Sequence, residues 1–138
     1  MDQPFEMIIR SDSAEIPDVS ARLESALHAR GFSRDDILDT QLAVEEIITN
    51  IINHGYKNTG GEIFITCRIN PSCAEIRIED TAPRFDPLSV PEPELDGSIE
   101  DRKIGGLGIF LVRQVMDEIF YRYENGRNIL VIIKRKKG

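Results

Sequence analysis

Residues 34–54, RDDILDTQLAVEEIITNIINH, have the spacing of one long helix whose second half is dense in isoleucine and valine yet carries polar residues at helical intervals. Glu46, Asn50 and Asn53 follow one another at steps of four and three, which stacks them on one helical face. Ile47, Ile48, Ile51 and Ile52 lie around and between them. A carboxylate and two amides in such company are costly to bury without partners. They need a ligand, an ion, ordered water or a polar loop.

The rest of the chain supplies elements for this helix to pack against. Residues 6–11 read as a first strand, with Met7, Ile8 and Ile9 as its apolar run. Residues 14–30 show helical spacing through Ile16, Val19, Leu23 and Leu27, with Pro17 confined to the first turn and Gly31 as the C-terminal cap. Ser33 followed by Asp36 matches the S-x-x-D pattern that opens a helix, and Gly55 is the expected stop of the long one. Residues 62–69 and 74–80 alternate with period two on either side of the turn Asn70-Pro71-Ser72, which predicts a hairpin.

Residues 81–103 have no period and are rich in proline and acidic residues. A connection of that length in a compact domain is functional or disordered. Gly105-Gly106-Leu107-Gly108 then opens a helix over 108–117, carrying Ile109, Leu111, Val112, Val115 and Met116. Residues 119–123 and 128–134 flank Asn125-Gly126, a strong hairpin signal. The order β-α-α-β-β-loop-α-β-β predicts one α+β domain over residues 1–138. Its architecture is a two-layer α/β sandwich, with a mixed, mostly antiparallel sheet and three helices on one face.

Composition narrows the function classes. A chain of 138 residues is long enough for one sizeable core. Its net charge of −7 argues against nonspecific nucleic-acid binding, which needs a basic face. The basic run Lys134 to Lys137 reads as a solvated chain end. No apolar run approaches the length of a membrane span, and the first residues have no secretory pattern. Cys67 and Cys73 have no metal spacing and read as free thiols of a reducing cytoplasm.

Three segments carry candidate chemistry. A helix N-terminus presents unpaired N–H groups, and glycines before it let the backbone approach a phosphate closely. On its own, the cluster at 105–108 serves a tight turn equally well. Asp80, at the end of a strand, can accept a hydrogen bond from an amino group such as that of adenine; alone, it is more readily a turn-initiating residue. Asn50 offers an amide oxygen to Mg²⁺, and Glu46, one turn before it, can take a proton from an attacking hydroxyl. The plainer alternative is a polar stripe on a surface helix. Glu45 points about 100° away from Glu46, and His54 reads as structural. Arg84, Arg102 and Lys103 rank low as phosphate contacts.

Together, these pieces resemble a known family. AVEEIITNIINHGY is similar to the asparagine box of the GHKL (histidine-kinase-like) ATPases. Within that superfamily, the closer resemblance is to the small anti-sigma-factor serine kinases, the RsbW-like or SpoIIAB-like group. It spans nearly the whole chain in order, through the aspartate box at Asp80 and the glycine box GGLGIFLVRQVMDE. The resemblance implies ATP and Mg²⁺ as cofactors, held under a lid over about 84–104. Glu46 would be the general base and Asn50 the Mg²⁺ ligand. Asp80 would hold the adenine amino group, with Ala82 and Phe85 in the same box. Gly105, Gly106, Leu107 and Gly108 would shape the phosphate site. It further implies phosphorylation of a serine on a STAS-domain anti-anti-sigma protein, competition with a sigma factor, homodimer formation and a cytoplasmic location, without direct nucleic-acid or membrane contact.

One departure stands out. Related aspartate boxes run D-x-G-x-x-F-D-P, and Ala82 replaces that glycine before Phe85-Asp86-Pro87. A methyl there disfavours positive φ and is expected to weaken ATP binding. Ala82 and Pro83 favour a second reading, a non-catalytic or weakly nucleotide-binding docking module of the same fold. A third, a detached histidine-kinase catalytic domain, is disfavoured by the short lid and the want of a preceding phospho-accepting histidine helix.

Overall fold

The computed structural model describes residues 4–89 and 106–137, with the backbone alone at Gly106 and Leu107. Five strands form a single sheet: β1 (Phe5–Arg10), β2 (Glu62–Ile69), β3 (Cys73–Asp80), β4 (Glu118–Glu124) and β5 (Arg127–Arg135). Their spatial order is β1-β2-β3-β5-β4, and every neighbouring pair is antiparallel, so among the described residues the sheet has no parallel component. Three helices, α1 (Ile16–Ala29), α2 (Arg34–Asn50) and α3 (Gly106–Val115), make the second layer of an α+β sandwich. Gly105 and most of the expected lid lie outside the described residues.

The period-two alternation decides which side chains face the helices. Ile63, Ile65, Cys67 and Ile69 of β2 are buried, as are Ala74, Ile76 and Ile78 of β3. They meet Val19, Leu23 and Leu27 of α1, Ala43, Val44, Ile47 and Ile48 of α2, and Val112 of α3 in one core. The same alternation brings Asp80 onto the inward face of β3, and on β5 it brings Asn128, Leu130, Ile132 and Lys134 inward. Each end of that β5 row is thus a buried polar residue.

The cap signals act as expected. Ser33 Oγ accepts from Asp36 N at 3.1 Å, Gly31 has φ +81° after α1, and Asn125 and Gly126 both have positive φ between β4 and β5, as a tight antiparallel hairpin requires.

Two expectations need correction. The long helix is not α-helical to His54: α2 ends at Asn50 and a π turn spans Ile51–Gly55, closed by Tyr56 N donating to Ile51 O at 2.8 Å. The i→i+5 register turns the next residues off the α2 face, so Asn53 and His54 are exposed. The basic chain end is not all solvated either. Lys134 is 2% exposed, and its ammonium donates to Asp39 Oδ2 at 2.9 Å and Val115 O at 2.6 Å. The carboxylate of buried Asp36 stands 4.0 Å away.

Candidate nucleotide site

Between α2, the inner face of β3 and β5, and α3 lies a cavity of about 460 Å³ including its open mouth. Ile47, Ile51, Ile78, Ile109 and Leu130 supply apolar walls; Asn50, Asp80 and Asn128 supply polar groups. A slot of this kind suits a planar apolar body with a few polar edge groups. Phe85, Pro83 and Pro87 close it on the side of the segment that follows β3.

Asp80 is 5% exposed. Its Oδ1 accepts from Ala82 N at 3.0 Å and from Asn128 Nδ2 at 2.9 Å. Burial pushes its pKa up, against the lowering effect of those two bonds. Burying the ionised carboxylate carries a cost that a donor to its remaining oxygen would offset.

Asn128 was not legible as a site residue. Directly across from Asp80 in the β3–β5 register, it gathers the whole turn around itself. Besides Asp80, its Nδ2 reaches Ala82 O at 3.1 Å and Pro83 O at 3.2 Å. Its Oδ1 accepts from Phe85 N at 3.0 Å and Tyr121 Oη at 2.6 Å. Exchanging the amide oxygen and nitrogen would set acceptor against acceptor three times, so the network fixes the orientation. The one clue in sequence is a polar residue in register with Leu130 and Ile132.

Tyr56 is a second unforeseen organiser. Its hydroxyl donates to Glu62 O at 2.6 Å and accepts from Thr81 N at 2.9 Å, tying the ends of β2 and β3 to the segment after the π turn. Gly61 makes room for it, because a Cβ there would lie 2.3 Å from the Tyr56 ring.

Ala82 does not intrude on the cavity. It has no positive φ, is 3% exposed and is absent from the cavity wall. Its methyl lies 3.3 Å from where a Cβ on Gly55 would stand, so the π-turn glycine accommodates it.

On α2, Asn50 lines the cavity while Glu46 stands one turn earlier, beside α3. Burial, and then the neighbouring charge of Glu45, raise the pKa of Glu46, the direction that makes a carboxylate a better base near neutral pH. Glu45 turns aside to accept from Ser20 Oγ of α1 at 2.9 Å. Gly106 begins α3, whose first turn therefore lies beside Glu46 and the cavity mouth. Downstream of Asp80, Arg113 of α3 donates to Leu88 O at 2.9 Å. The structure thus brings Asn50, Asp80 and Phe85 to one cavity and sets Glu46 and Gly108 against each other nearby. It leaves Asn53 outside and puts Ala82 behind the wall.

These residues fit a Mg-nucleotide. Among the described residues there is no cluster of three or more His, Cys, Asp or Glu able to cage a metal. Mg²⁺ needs no such cage when phosphates and water fill most of its positions and the protein adds one or two oxygens. Asn50 can provide one.

A family model for the histidine kinase-like ATPase domain matches residues 9–134. Curated relatives include the serine-protein kinase RsbW of Bacillus thuringiensis (strain Al Hakam), 28% identical over 133 residues and covering 94% of this chain and 83% of the relative. RsbW of Bacillus anthracis (strain A0248) is 28% identical over 138 residues with the same coverage. A crystal structure of the RsbU and RsbW domains of Rv1364c from Mycobacterium tuberculosis superposes with a TM-score of 0.70 at 15% identity. It covers 99% of this chain, which spans 33% of that one; at that identity the likeness concerns the fold. No helix among the described residues is long and apolar enough to cross a membrane.

Proposed function

The chain belongs to the histidine kinase-like ATPase domain family, and from that premise we propose that it is an ATP-dependent protein serine/threonine kinase acting as an anti-sigma factor in a partner-switching pathway. Its substrate is a serine of a STAS-domain anti-anti-sigma protein, and its second partner is a sigma factor or analogous target. Similarity to the RsbW serine-protein kinases supports this reading. The observation that carries it is that Asp80 and Asn50 line one cavity while Glu46, one turn before Asn50, stands against Gly108 in the first turn of α3.

In this reading, ATP supplies the phosphoryl group, and the chain's residues bind and orient. The isoleucine walls cover the faces of the base, and Asp80 accepts from its amino edge. Asn50 gives an oxygen to Mg²⁺, and the N–H groups opening α3 meet phosphate. Glu46, its pKa raised by burial, takes the proton of the incoming serine hydroxyl. The docking-module alternative rested on Ala82 and Pro83; the Ala82 methyl lies outside the cavity wall, and Pro83 is part of that wall.

The test is transfer from labelled ATP to a STAS-domain protein. Glu46→Gln should lower transfer by about 100-fold or more while ATP remains bound. Equal transfer by both proteins would remove Glu46 as base.

A further inference from the structure

Asn128 has no hydrogen-bonding capacity left for a ligand. A side-chain amide offers two N–H hydrogens and two oxygen lone pairs. Here the nitrogen is shared among Asp80 Oδ1, Ala82 O and Pro83 O, and the oxygen takes Phe85 N and Tyr121 Oη. It lines the cavity without being free to read what enters it. Asp80 Oδ1 is also full, since Ala82 N and Asn128 Nδ2 use both its lone pairs. Only Oδ2 of that carboxylate carries none of these bonds.

We propose that Asn128 is the positioning residue that sets base selectivity: by locking Asp80 through Oδ1, it makes Oδ2 a fixed acceptor that admits an amino edge and rejects an oxo edge. This rests on the nucleotide reading above and deepens it. A purine with an exocyclic amine donates to Oδ2, whereas one with a carbonyl at the same position sets acceptor against acceptor. Sites whose polar groups are held in place discriminate strongly because a wrong partner leaves them unsatisfied. An Asp80 free to rotate, or to hold a proton and donate it, would lose that discrimination.

The probes are ATP and ITP, which differ at that edge of the base, titrated by calorimetry with Mg²⁺. The wild type should favour ATP by about tenfold or more. Asn128→Asp keeps the shape and the acceptor of Phe85 N but sets a second carboxyl beside Asp80. One of the two then keeps a proton, which can be donated to a carbonyl, and the ATP-to-ITP ratio should fall towards unity. Tyr121→Phe, which removes one of the two donors to Asn128 Oδ1, serves if the first variant does not fold, and should lower the ratio by a smaller factor. A merely structural role would weaken both nucleotides together and leave the ratio unchanged. An unchanged ratio in the folded variants therefore overturns the inference, as does a wild type that binds both nucleotides equally, though the nucleotide reading then stands. A wild type that binds neither overturns the proposed function and this inference with it.

Discussion

Glu46 Oε2 lies 2.8 Å from the point a Cβ on Gly108 would occupy. The carboxylate of the long helix and the backbone of the glycine cluster are in contact only because residue 108 has no side chain. Gly108 has no positive φ, so its backbone tolerates alanine, and a helix favours alanine over glycine by roughly 1 kcal/mol. The group that must yield is the end of a flexible side chain.

Gly108→Ala is accordingly expected to separate stability from chemistry. Its thermal midpoint should stay level or rise, while phosphoryl transfer falls by on the order of 100-fold as the carboxylate is displaced. Thermal denaturation and a transfer assay on the same preparation check this. Full transfer in a stable variant would show that Glu46 acts from another position or not at all.

Asp80 gives a pH-dependent prediction. Burial raises its pKa from the ordinary 3.8. A carboxyl whose folded pKa exceeds its unfolded one favours the folded state below the unfolded value. That contribution fades as pH rises through the folded value. At neutral pH the ionised form is therefore a burden, kept for what Oδ2 can bind. Asp80→Asn retains an oxygen for Ala82 N and Asn128 Nδ2. It should melt above the wild type at neutral pH, with the gap closing as pH falls to the carboxylate range, and should lose ATP binding. Melting curves across pH, paired with ATP titration, provide the check. A variant less stable than wild type at neutral pH would contradict the account.

Lys134 should matter for stability rather than turnover. Its ammonium holds Val115 O at the end of α3 and Asp39 of α2, near Asp36, which is 1% exposed. Lys134→Met removes the cation and leaves a buried carboxylate and a carbonyl with less compensation. A loss of about 3 kcal/mol is expected in urea denaturation. A loss below about 0.5 kcal/mol, typical of an exposed lysine, would contradict the buried geometry.

Much of the fold was legible because it is written in local periodicity. Ile63 to Ile69 and Ala74 to Ile78 alternate, Ser33 caps, and Asn125-Gly126 turns. What was not legible depends on pairing between distant segments. Asn128 follows a turn and looks like part of it; only its register opposite Asp80, far away in the chain, makes it the hub of the site. Lys134 begins a basic run and nothing in the run says that it points inward. The π turn changes hydrogen-bond register without changing composition, so Asn53 looked like a third member of the stripe. Ala82 looked like a departure at the ligand edge, yet Gly55 makes the space for its methyl.

In the proposed function, α2 and the inner sheet face bind a Mg-nucleotide through Asn50 and Asp80. Calorimetric titration with ATP, with and without Mg²⁺, tests it most directly. Binding should appear in the wild type and strengthen by about tenfold or more with Mg²⁺, and Asn50→Ala should lose that Mg²⁺-dependent gain. Absence of Mg²⁺-dependent binding at millimolar ATP would contradict the account.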